Sequence, residues 1–137
     1  MSVRNFRPRR DSRRTITPFQ NFLLLAVLTV ALGLQIAYPI TQGEALRVIT
    51  IATVYWAAGA MLLHAWFAYG ISYALRFLFI TFLYALLIEQ IGMRTTWPFG
   101  SYEYSGTLGY QIYGVPLVVP FAWIMMAHPV FLAARRI

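Results

Sequence analysis

Cysteine and lysine are both missing from the 137 residues, and acidic side chains number only four. Without cysteine there is no disulfide, no thiolate metal site and no iron–sulfur cluster. Without lysine, no Schiff base can form on this polypeptide. Charge is scarce altogether, at 11% of residues, against about a quarter in ordinary globular chains. With 60% of residues hydrophobic, no folding pattern lets most of the helical surface face water, so the bilayer is the expected solvent.

The charge that is present is unevenly placed. The formal net charge is +7, and six of the eleven arginines (Arg4, Arg7, Arg9, Arg10, Arg13 and Arg14) fall within the first fourteen residues. They are interspersed with Pro8, Asp11, Ser12 and Pro18 and show no apolar periodicity. Residues 1–21 are therefore expected to form a disordered basic arm that sets topology and touches anionic membrane lipid. No nucleic-acid partner is expected, because a membrane-tethered arm of this kind offers little capacity for reading bases. Ser12-Arg13-Arg14 ahead of an apolar run also suggests a twin-arginine signal. The run is longer than a signal core, however, and no small-x-small cleavage site follows.

Four apolar runs follow the arm, at about 22–40, 48–69, 71–91 and 115–134. They predict an all-α fold, a polytopic membrane helical bundle of about four transmembrane helices spanning residues 22–137. Only Gly70 separates the second run from the third, so these two should form a tight antiparallel hairpin. Pro116, Pro120 and Pro129 mark the last helix as the one expected to kink. With four crossings, nine arginines (the arm, Arg76, Arg135 and Arg136) share one side and two (Arg47 and Arg94) the other. The positive-inside rule then puts the N-terminus in the cytoplasm and the chain in the cell membrane, with the 92–114 connection an outer interfacial loop.

Chemistry concentrates in Glu89 to Tyr104, where two carboxylates, one arginine and four aromatic residues occupy sixteen positions. Pro98 and Gly100 impose a non-helical path there. Glu89 ends an apolar helix, where an unpartnered carboxyl is costly, so it is a functional candidate by default. A blander reading pairs it with Arg94 in an interfacial ion pair. Glu103 would then be the rival acid, although a mid-loop carboxylate is more often a solvated charge. Tryptophan and tyrosine gather at membrane interfaces whatever the function, the preferred account of Tyr110 and Tyr113. His64, Arg76 and His128 fall at a similar depth. They either form a polar cluster or, the preferred reading, Arg76 snorkels while the histidines bond to backbone or serine partners. Two histidines without a carboxylate make a poor metal site, and no metal is expected.

At these residues the chain resembles a known family, the membrane carotenoid-biosynthesis proteins that include bisanhydrobacterioruberin hydratases and carotenoid 1,2-hydratases. The resemblance runs from about Tyr55 to Pro129. It is carried by Glu89, Gly92, Arg94-Thr95, Pro98-Phe99-Gly100, Tyr102 and Tyr104, then by Gly109, Gly114-Val115-Pro116, Pro120 and Trp123. Thr96 and Trp97 stand where the family more often has glycine followed by phenylalanine. Members are usually about twice this length, so the chain corresponds to a short or partial member. A second polypeptide or a homo-oligomer is therefore a candidate partner.

The resemblance implies water addition across the terminal double bond of an acyclic carotenoid end group, giving a tertiary alcohol without any cofactor. It casts Glu89 as proton donor, with Glu103 the alternative, Arg94 and Thr95 as orienting groups, and Tyr102 and Tyr104 as the frame that positions end group and water. Trp97, Pro98, Phe99 and Gly100 would meet the substrate. The reaction passes through a tertiary carbocation, which aromatic faces stabilise by on the order of 1–2 kcal/mol each when dry. The rival is a non-catalytic membrane subunit or an accessory protein that holds carotenoid.

Overall fold

Thr17 followed by Pro18 and Gln20 is a helix start written in sequence, and it is where the first helix begins. The Thr17 hydroxyl accepts from the Gln20 backbone N–H while the Gln20 side chain accepts from the Thr17 N–H, a reciprocal cap with proline in the first turn. The structure, a computed structural model, describes residues 13–104 and 106–135. The expected disorder of the arm therefore lies outside the described residues for positions 1–12, as does the Arg136 end. From Thr17 onward the arm is not disordered, because this cap begins the helix ahead of the expected residue 22.

Helix α1 covers Pro18–Ala37, α2 Gly43–Tyr69, α3 Ile71–Thr95 and α4 Val118–Ala134, so the all-α bundle is present. Among the described residues three segments are long and apolar enough to cross a membrane: Pro18–Ile40, Gly43–Tyr69 and Ile71–Thr95. Helix α4 is apolar but has 17 residues. At 1.5 Å per residue it rises about 26 Å, a little short of a hydrocarbon core of about 30 Å. Its start at Val118 is three residues later than the apolar run suggests, because Val115–Pro116 is drawn into a short ladder. Pro120 sits in the first turn, where its missing N–H costs nothing, leaving Pro129 as the proline inside the helix.

Helices meet through small side chains, with Ala58, Ala60, Ala65 and Ala68 of α2, Ala74 and Ala85 of α3 and Ala31 of α1 all buried. Lipid tails are as apolar as leucine, so membrane helices associate by close backbone approach at small residues, while large ones such as Phe79, Ile80 and Leu87 face outward. The α2–α3 turn closes on Gly70 alone, at φ 94° and ψ 161°, a region effectively reserved for glycine. Arg14 lies over this turn: its N–H donates to the Ala68 carbonyl (2.8 Å), and a Cβ on Gly70 would stand 3.2 Å from its guanidinium.

At the opposite end the α3–α4 connection is ordered into a cap. Gln111–Ile112 (β1) pairs antiparallel with Val115–Pro116 (β2) around Tyr113 and Gly114, both at positive φ, the two-residue turn whose twist suits a hairpin. Side chains of α2 and α3 help tie this cap to the bundle. Gln90 Nε2 of α3 donates to the Tyr113 carbonyl and Arg47 Nη1 of α2 to the Thr107 carbonyl, both at 2.6 Å. Arg47 also pairs with Glu44. The loop expected at 92–114 therefore starts later, after Thr95, and holds a hairpin.

Candidate functional site

Glu89 lies six residues from the end of α3, one of two buried polar residues among those described, with 6% of its surface exposed. The connection folds back over it because α3 ends sharply. Thr96 takes the left-handed conformation and its N–H returns to the Gly92 carbonyl (2.8 Å), while Gly100 N–H donates to Thr96 O (2.7 Å). The Thr95 hydroxyl donates to Ile91 O (2.7 Å) and Trp97 O (3.2 Å) and accepts from Trp97 N–H (3.3 Å). These bonds turn the chain so that Tyr102 and Tyr104 reach the carboxyl.

Among the described residues, three donors converge on Glu89. Tyr102 and Tyr104 hydroxyls donate to Oε2 at 2.7 and 3.0 Å, and the Trp123 indole N–H of α4 donates to Oε1 at 3.2 Å. Glu89 with Phe99, Tyr102, Tyr104 and Trp123 lines a cavity of about 330 Å³. Its rings meet edge to face, Phe99 against Tyr102 at 6.2 Å and Tyr102 against Tyr104 at 5.6 Å between centroids, the arrangement that aromatic quadrupoles favour. Burial, then the hydrogen bond to Glu89 and its charge, pushes the Tyr102 hydroxyl up to about 12 and that of Tyr104 further in the same direction. Both phenols are therefore donors at any physiological pH.

Of the residues singled out in the sequence, the fold brings Glu89, Phe99, Tyr102 and Tyr104 together. Arg94 is not a partner of Glu89, whose ligands are tyrosine and tryptophan. Arg94 and Thr95 sit exposed on the last turn of α3, with Thr95 engaged in shaping the helix end. Trp97, Pro98 and Gly100 form the exposed turn, and Glu103 is exposed between the two tyrosines and does not line the cavity. Trp123 was legible only as one carrier of the resemblance. Nothing in a lone tryptophan 34 positions downstream shows that it bonds Glu89.

A second polar pair lies elsewhere in the bundle. His64 Nδ1 and His128 Nε2 are 2.9 Å apart, so the histidines bond each other rather than backbone or serine. His128 is fully buried against Tyr69, Tyr73 and Phe77. Arg76 stays apart from them, exposed and donating to Ser72 O (3.0 Å).

The fold and this site define a class: a helical membrane protein with one carboxyl held in an aromatic, donor-lined cavity at an end of the bundle. The chain belongs to the carotenoid biosynthesis protein family, whose model matches residues 46–137, from the first turn of α2 through α4. No curated protein and no solved structure matches it significantly.

Proposed function

We propose that the protein adds water to the terminal trisubstituted double bond of an acyclic carotenoid, giving a tertiary alcohol. The observation that carries this reading is the Glu89 carboxyl, buried at the wall of an aromatic cavity and bonded by three neutral donors instead of an arginine. Hydration needs an acid, stabilisation of a tertiary carbocation, and a single water. Glu89 gives its proton to the less substituted alkene carbon, and the π pair forms the new C–H bond. The tertiary carbon becomes cationic against Phe99, Tyr102, Tyr104 and Trp123. Water attacks that carbon and its surplus proton returns to Glu89, so the sum is alkene plus water to alcohol. Tyr102, Tyr104 and Trp123 stabilise the carboxylate that exists between the two transfers.

Arg94, Thr95, Trp97, Pro98 and Gly100 then act as positioning residues that set the loop, and Glu103 as a solvated charge on the connection. Family membership and three membrane-length apolar helices support contact with lipid and carotenoid. The excess of arginine near the N-terminus supports a cytoplasmic N-terminus in the cell membrane. Glu89→Gln in a pigment-producing host tests the reaction. Loss of hydroxylated carotenoid at a normal protein level is expected. Unchanged pigment would remove Glu89 from the mechanism.

A further inference from the structure

A polyene is a rigid apolar rod dissolved in the bilayer, whereas Glu89 is almost fully covered. Its end group therefore needs a lateral approach from lipid. Three grooves larger than the Glu89 cavity border α4: one of about 440 Å³, beside Tyr73 and Arg76 of α3 and Phe131 of α4, shares no residue with that cavity, and the other two are larger still. Of those two, one, about 680 Å³, follows α3 from Leu75 to Leu83 and meets α4 at Phe121; it shares no residue with the Glu89 cavity. The other, about 580 Å³, lies between α2 and α4, walled by Thr50 and Val54 of α2, Leu108 of the connection, and Ala122, Trp123 and Met126 of α4.

Trp123 is the residue common to this second groove and the Glu89 cavity. Its N–H edge is fixed on Glu89 Oε1 (3.2 Å), and Tyr84 packs edge-to-face against it at 5.9 Å between centroids. The indole is thus a held partition with the carboxyl on one side and an apolar channel on the other. Along α4 the groove extends from Val118 to Val130, a rise of about 18 Å. That seats one end of an extended polyene and leaves the remainder in a hydrocarbon core of about 30 Å.

We propose that the α2–α4 groove holds the terminal part of the carotenoid polyene, with Trp123 stacked on the chain and directing its last double bond toward Glu89. Shared use of Trp123 selects this groove over the larger one on α3. The proposal rests on the hydration reading only for the fate of the end group; the seating of the polyene is a binding statement of its own.

The test uses the full chain in nanodiscs with Trp56, Trp66 and Trp97 replaced by phenylalanine, leaving Trp123 as the emitter. Lycopene, an acyclic C40 polyene, is the probe, and energy transfer to it is read as quenching. Saturable quenching of Trp123 is expected. Ala122→Phe, and the exposed-site variant Met126→Phe, which leaves the helix interface intact, should weaken it at least tenfold, whereas Ile80→Phe in the α3 groove should not. Glu89→Gln should retain quenching while losing product, and hydration that survives this variant would remove Glu89 from the mechanism without touching the groove. Unquenched Trp123, equal quenching in Met126→Phe, or weakening by Ile80→Phe would each overturn the proposal. Quenching by brominated lipid that the polyene does not relieve would assign the groove to acyl chains and overturn it equally.

Discussion

The Tyr102 hydroxyl occupies the space into which a side chain on Gly92 would grow: a Cβ there would stand 2.5 Å from Tyr102 Oη and 3.2 Å from Phe99. Gly92 is buried one turn beyond Glu89 on the same face of α3. The absence of a side chain lets the connection lie flat on the helix and brings the first phenol to the carboxyl. Gly92→Ala should therefore displace Tyr102, at about 1–3 kcal/mol of packing strain. Product formation should fall at least tenfold while membrane insertion persists. Adding Tyr102→Phe, which removes the clashing oxygen, should restore part of the stability, measured as the thermal midpoint in detergent.

The two phenols can be weighed separately. Tyr102→Phe and Tyr104→Phe each remove one donor from Glu89, and a hydrogen bond to a charged group contributes about 1.5–3 kcal/mol. Each variant should lose roughly tenfold or more in turnover. The pair should be non-additive because both bonds fall on one oxygen. Single-turnover rates in reconstituted vesicles measure this directly.

Alkaline pH should loosen the cap in a defined window. Tyr102 is raised from 10.0 to about 12, so as pH climbs the unfolded chain gives up this proton before the folded one. Its contribution to stability is whole below about pH 10 and is lost as pH rises toward 12. The detergent melting temperature should fall across that interval, and Tyr102→Phe should flatten the fall. An identical slope in the variant would mean another group governs it.

The histidine pair is expected to be structural. His128 Nδ1 has no hydrogen-bond partner among the described residues, so His64 supplies the one bond that this buried ring makes. His64→Ala should cost about 1–3 kcal/mol by leaving both ring nitrogens unpaired. His128→Leu in that background should recover part of the loss by removing the polar ring. Hydroxylated product per folded molecule should stay unchanged in both.

Much of the architecture was legible in composition and spacing alone. Runs of about twenty apolar residues with so little charge have no water-soluble solution, and a single glycine between two of them allows only a tight turn. The Thr17 cap was equally readable in principle, since Thr-Pro-x-Gln is local chemistry. It was masked by the arginines before it, and the helix starts earlier than the apolar run alone indicates. The Glu89 to Tyr104 stretch announced itself because a carboxyl at the end of a greasy helix is costly without partners.

Sequence by itself determined the solvent, the all-helical class, the hairpin at Gly70 and the segment in which the chemistry lies, because each follows from local composition and backbone limits. Only the tertiary structure decided which side chains satisfy Glu89. Arg94, five residues on, is nearer along the chain but lies exposed on the last turn of α3, while the path set by Thr95, Thr96 and Gly100 returns Tyr102 and Tyr104 over Gly92. The packing of α4 against α3 delivers Trp123 from 34 positions away. Contacts of that range depend on how whole helices pack, and no local pattern in a chain records them.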